Sequence, residues 1–266
     1  MNELALFAGA GGGILGGKLL GWRTVCAVEW EPYAACVLAA RQNDGFLPPF
    51  PRWDDIQTFD GRPWRGIVDV VSGGFPCQDI SAAGRGAGID GERSGMWHEM
   101  ARVVGEVRPR YVFVENSPML VHRGLERVLG DLTALGYDAR WTVMGAADVG
   151  ANHQRDRIWI LAHSNGMREL QPSWRKCNKR DGAGISGETV ADTECRKSKM
   201  GWDDAGVGWI EKLGSERNAG SSWWAVEPNV GRVANGVAAR VDRLKAIGNG
   251  QVPLCAATAW RFLTGR

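Results

Sequence analysis

The sequence predicts an α/β protein built on a mostly parallel sheet with an antiparallel hairpin at one edge. Two observations carry this expectation. Short apolar, β-branched runs alternate with amphipathic stretches through the first half of the chain, which is the signature of strands joined by crossover helices. Two later runs follow each other too closely for such a crossover, which leaves an antiparallel pairing. The chain has 266 residues, 44% apolar and 23% charged, which fits one large domain, or a domain with a smaller insert.

In order, Leu4 to Phe7, Thr24 to Val28, Val68 to Val71 and Tyr111 to Val114 read as buried strands. Tyr33 to Arg41 and Ser94 to Val107 carry helical spacing between them. Arg140 to Met144 and Arg157 to Leu161 form the edge hairpin. From about Asn165 the chain turns rich in Gly, Ser, Asn and charge, with isolated tryptophans such as Trp174, Trp202 and Trp209. That stretch reads as a loop-dominated insert. Leu254 to Leu263, with Pro253 in the first turn, is a helix that should pack back on the first part. The division is therefore 1–164, then an insert over 165–235, then a returning segment over 236–266.

Charge excludes little. The 32 basic and 30 acidic residues leave a net charge of +2, so contacts with nucleic acid must come from locally placed Lys and Arg. The apolar stretch Leu4 to Leu20 is glycine-rich and interrupted by Lys18, which fits neither a signal peptide nor a membrane span. Six cysteines without a CxxC pair and four histidines without HExxH suggest no metal site and no disulfide framework. A reduced, cytoplasmic protein is expected.

In a parallel sheet, ligands sit at the carboxyl ends of the strands, so the residues just after each run are the candidates. The first run leads into Phe7-Ala8-Gly9-Ala10-Gly11-Gly12, and the second into Glu29-Trp30. Glycines let backbone approach a ligand, a carboxylate one strand later accepts from ribose hydroxyls, and Trp30 could stack on adenine. Asp55-Ile56 could read the exocyclic amine. Gly11-x-Gly13-x-x-Gly16 also fits a dinucleotide pattern, so NAD or FAD, or a structural glycine turn, stays open on these residues alone. After the third run, Pro76-Cys77-Gln78 puts a thiol at a sheet edge near a helix N-terminus, where the positive dipole favours thiolate. After the fourth, Glu115-Asn116 places a carboxyl where burial should raise its pKa and keep it an acid.

Together these motifs resemble the C5-cytosine DNA methyltransferases. Phe7 to Gly12, Glu29-Trp30, Asp55-Ile56, Gly74-Phe75-Pro76-Cys77-Gln78, Arg93-Ser94-Gly95-Met96-Trp97, Glu115-Asn116-Ser117, His153-Gln154-Arg155-Asp156-Arg157 and Gly248-Asn249-Gly250-Gln251-Val252-Pro253 follow the family's order. Ala5, Ser117 and His153 depart from the commonest pattern, and none of them removes the nucleophile, the acid or the two arginines.

The resemblance implies a Rossmann-like methyltransferase sheet carrying a small target-recognition insert. S-adenosylmethionine would be the cofactor and duplex DNA the partner, with no membrane, no metal and a monomeric enzyme of the restriction-modification kind. By the same resemblance, Cys77, Glu115, Arg155 and Arg157 are catalytic. Phe7, Gly9, Gly11, Gly12, Glu29, Trp30, Asp55, Ile56, Pro76, Met96 and Asn249 would hold the cofactor. Gln78, Ser81, Arg85 and Arg93, with Arg175, Lys176, Lys179 and Arg180 in the insert, would contact DNA. The competing readings are the same chemistry on RNA, a nicotinamide-dependent oxidoreductase, and an inactive DNA-binding regulator.

Overall fold

A computed structural model describes residues 1–76, 96–164 and 240–265. Seven strands form one sheet: β1 (Asn2–Leu6), β2 (Arg23–Val28), β3 (Arg52–Trp53), β4 (Val70–Gly73), β5 (Tyr111–Asn116), β6 (Tyr137–Met144) and β7 (Arg157–Ser164). Their order is β3-β2-β1-β4-β5-β7-β6. Every pair from β3 to β5 is parallel, whereas β7 runs antiparallel to both β5 and β6. The hairpin is thus as expected, with β6 on the edge and β7 inside. The insert over 165–235 lies outside the described residues.

Alternation along the strands sorts the core. Leu4 and Leu6 of β1, Val112 and Val114 of β5 and Ile158 and Ile160 of β7 face α3 (Met96–Val107) and α5 (Leu125–Ala134), which present Met100, Val104, Val128 and Leu132. Tyr111, Phe113, Trp159 and Leu161 point to the other face, under α7 (Pro253–Thr264) with Cys255, Ala259, Trp260 and Leu263. There Trp260 meets Trp22, Tyr111 and Phe113 edge-on at 4.6, 5.1 and 5.4 Å between centroids. Truncating it to alanine should destabilise the domain by about 3–5 kcal/mol. Ala5, Ala27 and Ile14 join Leu38 from α2 (Pro32–Asn43) in a third cluster.

At the end of the parallel strands where ligands bind, three boundaries differ from expectation. The first strand stops at Leu6, and Phe7 turns away with a left-handed φ of 50°. The third strand runs through Ser72 and Gly73, and the fourth takes in Glu115 and Asn116, because their backbones stay in the ladder despite polar side chains. The glycine-rich segment, for which the sequence leaves a structural turn as one open reading, is largely a helix, α1 (Gly12–Leu19), half of whose eight residues are glycine. Its low propensity is offset by packing: a Cβ at Gly16 would come within 2.7 Å of the Ala256 methyl of α7. A short α4 (Leu120–Arg123) follows β5, and α6 (Arg240–Asn249) precedes α7. Among the described residues, no helix is long and apolar enough to cross a membrane, and no group of three or more His, Cys, Asp or Glu is placed to hold a metal ion.

Candidate active site

The loop after β1 alternates handedness, with φ positive at Phe7 (50°), Gly9 (55°) and Gly11 (91°). The loop leads into the α1 N-terminus, and its N–H groups are held within the protein: Ala8 donates to the Val28 carbonyl at 3.1 Å and Gly11 to the Ala8 carbonyl at 3.0 Å. The Glu29 carboxylate closes the loop. Its Oε2 accepts from the Gly9 N–H at 2.6 Å and its Oε1 from the Glu31 N–H at 2.7 Å. Burial pushes its pKa up, while those two N–H groups pull it back. Trp30 is 71% exposed. Asp55 Oδ1 accepts from the Gln57 N–H at 2.9 Å, and the buried Ile56 offers its carbonyl to Arg102 at 2.7 Å.

Beside this loop lies a small cleft. Its walls include Phe7 and Gly9 from the first motif, Gly13 from α1, Ser72 and Gly73 from β4 with Gly74 just after it, Glu115 from β5, Asn249 at the end of α6, and Gly250 and Gln251 from the α6–α7 turn. Four of the expected site residues therefore share one cavity: Phe7, Gly9, Glu115 and Asn249. Trp30, Asp55, Ile56, Pro76 and Met96 are not among its lining residues, and Met96 packs instead against the α3 side of the core. A cradle of glycine backbone and a carboxylate at the end of β2 leave room for a nucleoside-type cofactor. Glu29 can accept hydroxyl donors, and no side chain blocks Gly9, where an added Cβ meets nothing within 4 Å.

Glu115 is the chemical centre of this cleft. It is 8% exposed, and its Oε1 pairs with Arg157 Nε at 2.9 Å. Burial raises its pKa, against the opposing pull of the Arg157 charge, the Gln251 amide and the Arg155 charge. The neighbouring Asn116 donates its side-chain amide to the Phe75 carbonyl at 3.0 Å, and Phe75 is buried against Trp97. Asn116 so fixes the chain just before Pro76, which is exposed. Cys77, Gln78, Ser81, Arg85 and Arg93 lie outside the described residues, as do Arg175, Lys176, Lys179 and Arg180.

The two arginines have separate partners. Arg157 takes Glu115 and also donates to the Asp156 carbonyl at 2.8 Å. Arg155, itself at a left-handed φ of 48°, directs Nη2 at the carbonyls of Ile247, Gly248 and Gly250 at 2.8, 2.8 and 2.5 Å. Its buried Nε has no partner among the described groups. Arg155 therefore grips the α6–α7 turn. A second tie, the ion pair of Lys245 with Glu31, joins α6 to the start of α2. Sequence reasoning placed its bet in this turn on Asn249; it passed over Gln251 and Gly74, whose importance arises only from tertiary contacts.

The family model for C-5 cytosine-specific DNA methylases matches residues 1–202. Among curated relatives, the chain is 33% identical over 163 residues to the Type II methyltransferase M.CviJI of Paramecium bursaria Chlorella virus IL3A, covering 60% of this chain and 42% of that one. It is 34% identical over 175 residues to M.Eco47II of Escherichia coli, covering 62% and 40%, and 31% identical over 171 residues to M.HhaI of Haemophilus parahaemolyticus, covering 63% and 50%. The chain thus spans about half the length, or less, of these relatives. Among solved structures, the fold is shared with the Dnmt2 methyltransferase of S. pombe, at a TM-score of 0.50 and 22% identity over 62% of this chain and 50% of that one. It is also shared with the Entamoeba histolytica methyltransferase EhMeth, at 0.52 and 15% over 64% and 55%. With its family model matched over most of its length, the chain belongs to the C-5 cytosine-specific DNA methylases.

Proposed function

We propose that this protein transfers a methyl group to C5 of cytosine in duplex DNA, with Cys77 as nucleophile and Glu115 as acid. The observation that carries this reading is the buried Glu115 carboxyl in the cleft, set on the strand next to the one that leads to Cys77. The parallel register pairs Gly73 with Val114, so the chain entering Pro76-Cys77 and the Glu115 side chain leave the sheet at the same edge.

Cytosine C5 is too weak a nucleophile to react unaided. Addition of the Cys77 thiolate to C6 makes the ring electron-rich, and the charge that develops is relieved when the neutral Glu115 donates a proton to N3. Burial raises the pKa of Glu115, the direction that favours the protonated state the step requires. S-adenosylmethionine, held by the Phe7 to Gly12 loop and Glu29, would supply the methyl group that C5 accepts. Loss of the C5 proton then lets the C6–sulfur bond break and returns Cys77. Arg157, already on Glu115, orients the acid and can reach the base carbonyl; Arg155 acts through the turn it holds.

A stacked cytosine hides C6, so the base must swing out of the helix, at a cost of about a few kcal/mol. The glycine-rich stretch with Gln78, Ser81, Arg85 and Arg93 would close on the DNA. The insert over 165–235, with Arg175, Lys176, Lys179 and Arg180, would supply phosphate contacts and sequence reading. The catalytic part is then 1–164 with 236–266.

An oligonucleotide carrying 5-fluorocytosine tests this directly, because fluorine at C5 cannot leave as a proton does and the adduct persists. Incubation with cofactor should yield a stable protein–DNA species in the wild type and none in Cys77→Ala. Absence of any adduct on a site that the protein methylates would overturn the mechanism. Bisulfite sequencing of DNA from expressing cells identifies the methylated position.

A further inference from the structure

Glu115 has two carboxylate oxygens, and they have different partners. Oε1 faces Arg157 Nε at 2.9 Å, while Oε2 faces the Gln251 side-chain amide, whose Nε2 donates at 3.4 Å. Gln251 reaches this place from the far end of the chain, and the surroundings are shaped to admit it. A Cβ at Gly74 would stand 2.5 Å from Glu115 Oε2 and 3.1 Å from Gln251 Nε2, driving the pair apart. A Cβ at Gly13 would stand 2.5 Å from Gln251 Oε1, and one at Gly12 would run into the Gln251 carbonyl. These glycines thus leave room for one particular side chain as well as for a ligand. The turn that delivers it is gripped by Arg155 through the carbonyls of Ile247, Gly248 and Gly250, immediately before Gln251.

We propose that Gln251 is a positioning residue for the Glu115 carboxyl, presented by the α6–α7 turn and fixing the oxygen that Arg157 leaves unclaimed. The proposal rests on the reading of Glu115 as the acid. It adds that the orientation and proton affinity of that acid are set from the returning segment. The charged groups facing Glu115 are Arg157 on β7 and Arg155 in the connection before it. Both favour the carboxylate, as does the Gln251 N–H. Removing that N–H withdraws one stabilising donor from the ionised form, so Glu115 should hold its proton to higher pH.

The test follows the Glu115 carboxyl by 13C NMR in the full-length, cofactor-free protein, its resonance identified by loss in Glu115→Gln. In Gln251→Leu the titration should move up by roughly half a pH unit, as expected for one long neutral hydrogen bond. In the isosteric Gln251→Glu, two carboxyls share the site, and the higher of the pair's titration steps should rise by more than about one unit. The alkaline limb of the single-turnover methylation rate should shift in the same direction. In a Glu115→Gln background, Gln251→Leu should cause no further loss of rate, because the residue acts through Glu115. A Glu115 titration unmoved in Gln251→Glu would overturn the proposal, as would losses that multiply in the double variant. Because the NMR titration needs no turnover, a wild type inactive on DNA would sink the proposed function while leaving this inference to be decided on its own.

Discussion

Two carboxyl groups are buried in this sheet, towards opposite edges of the parallel strands, and they differ in company. Glu3, near the start of β1, is fully buried and accepts only from hydroxyls: Ser72 Oγ at 2.6 Å and Thr24 Oγ1 at 2.7 Å. Glu115, at the end of β5, lies beside an arginine and an amide and opens on a cleft. Burial raises the pKa of both. A raised acid is therefore no mark of catalysis in itself. Glu3 too borders a small cavity, so what distinguishes Glu115 is the arginine counter-charge beside it and its place on the cleft it shares with Phe7, Gly9 and Asn249.

The largest test of this contrast is rate. Glu115→Gln should slow methylation by about 10²–10⁴-fold, the usual worth of a positioned general acid, while DNA affinity changes little. Glu3→Gln should leave the rate within about threefold of wild type, since an amide can serve the same two hydroxyls. Equal losses in single-turnover assays would erase the distinction. A smaller effect concerns how the two ends are held. The Glu115 end takes its wall from the turn that Arg155 holds, so Arg155→Met should loosen the Asn249–Gln251 wall and raise the cofactor Kd about tenfold, as read by titration calorimetry. An unchanged Kd would show that the grip on the turn does nothing for the cleft.

The smallest expected effect is the pH dependence of stability. Glu3 has a folded-state pKa above its ordinary 4.5, so the folded protein binds the proton more tightly than the unfolded chain does. Its contribution is full below the unfolded value and declines as pH rises through the range above it. Glu3→Gln carries no such loss. Its Tm relative to wild type should climb as pH rises above 4.5, with Glu29 and Glu115 common to both proteins. A constant difference across that range would mean that Glu3 stays as easily ionised in the fold as outside it.

Much of the architecture was legible because each central strand carries an uninterrupted apolar run, from Val112 to Val114 or Ile158 to Leu161, which only a doubly covered sheet accommodates. The ends of strands were less so. Glu115 and Asn116 look like the start of a loop by composition, yet their backbones remain paired to Trp159 and Ile158. The helix α1 was hidden for a related reason: Gly12, Gly13, Gly16 and Gly17 argue against a helix locally, and only the close approach of Gln251 and Ala256 explains them. Of the residues that line the cleft, Phe7, Gly9, Glu115 and Asn249 were legible as candidates, since they follow strands or belong to a distinctive run. Gln251 and the three-carbonyl grip of Arg155 were not, because both join residues about a hundred positions apart, and no local spacing records them.

The packing of α7 has a consequence for synthesis. A nascent chain that has left the ribosome only as far as β7 can form all seven strands, yet Tyr111, Phe113 and Trp159 still face water, and the cleft lacks its Asn249–Gln251 wall. The wall of the cleft is completed only when Pro253–Thr264 emerges and docks, so a polypeptide whose translation stalls upstream of it would leave that apolar face open and the cleft unfinished.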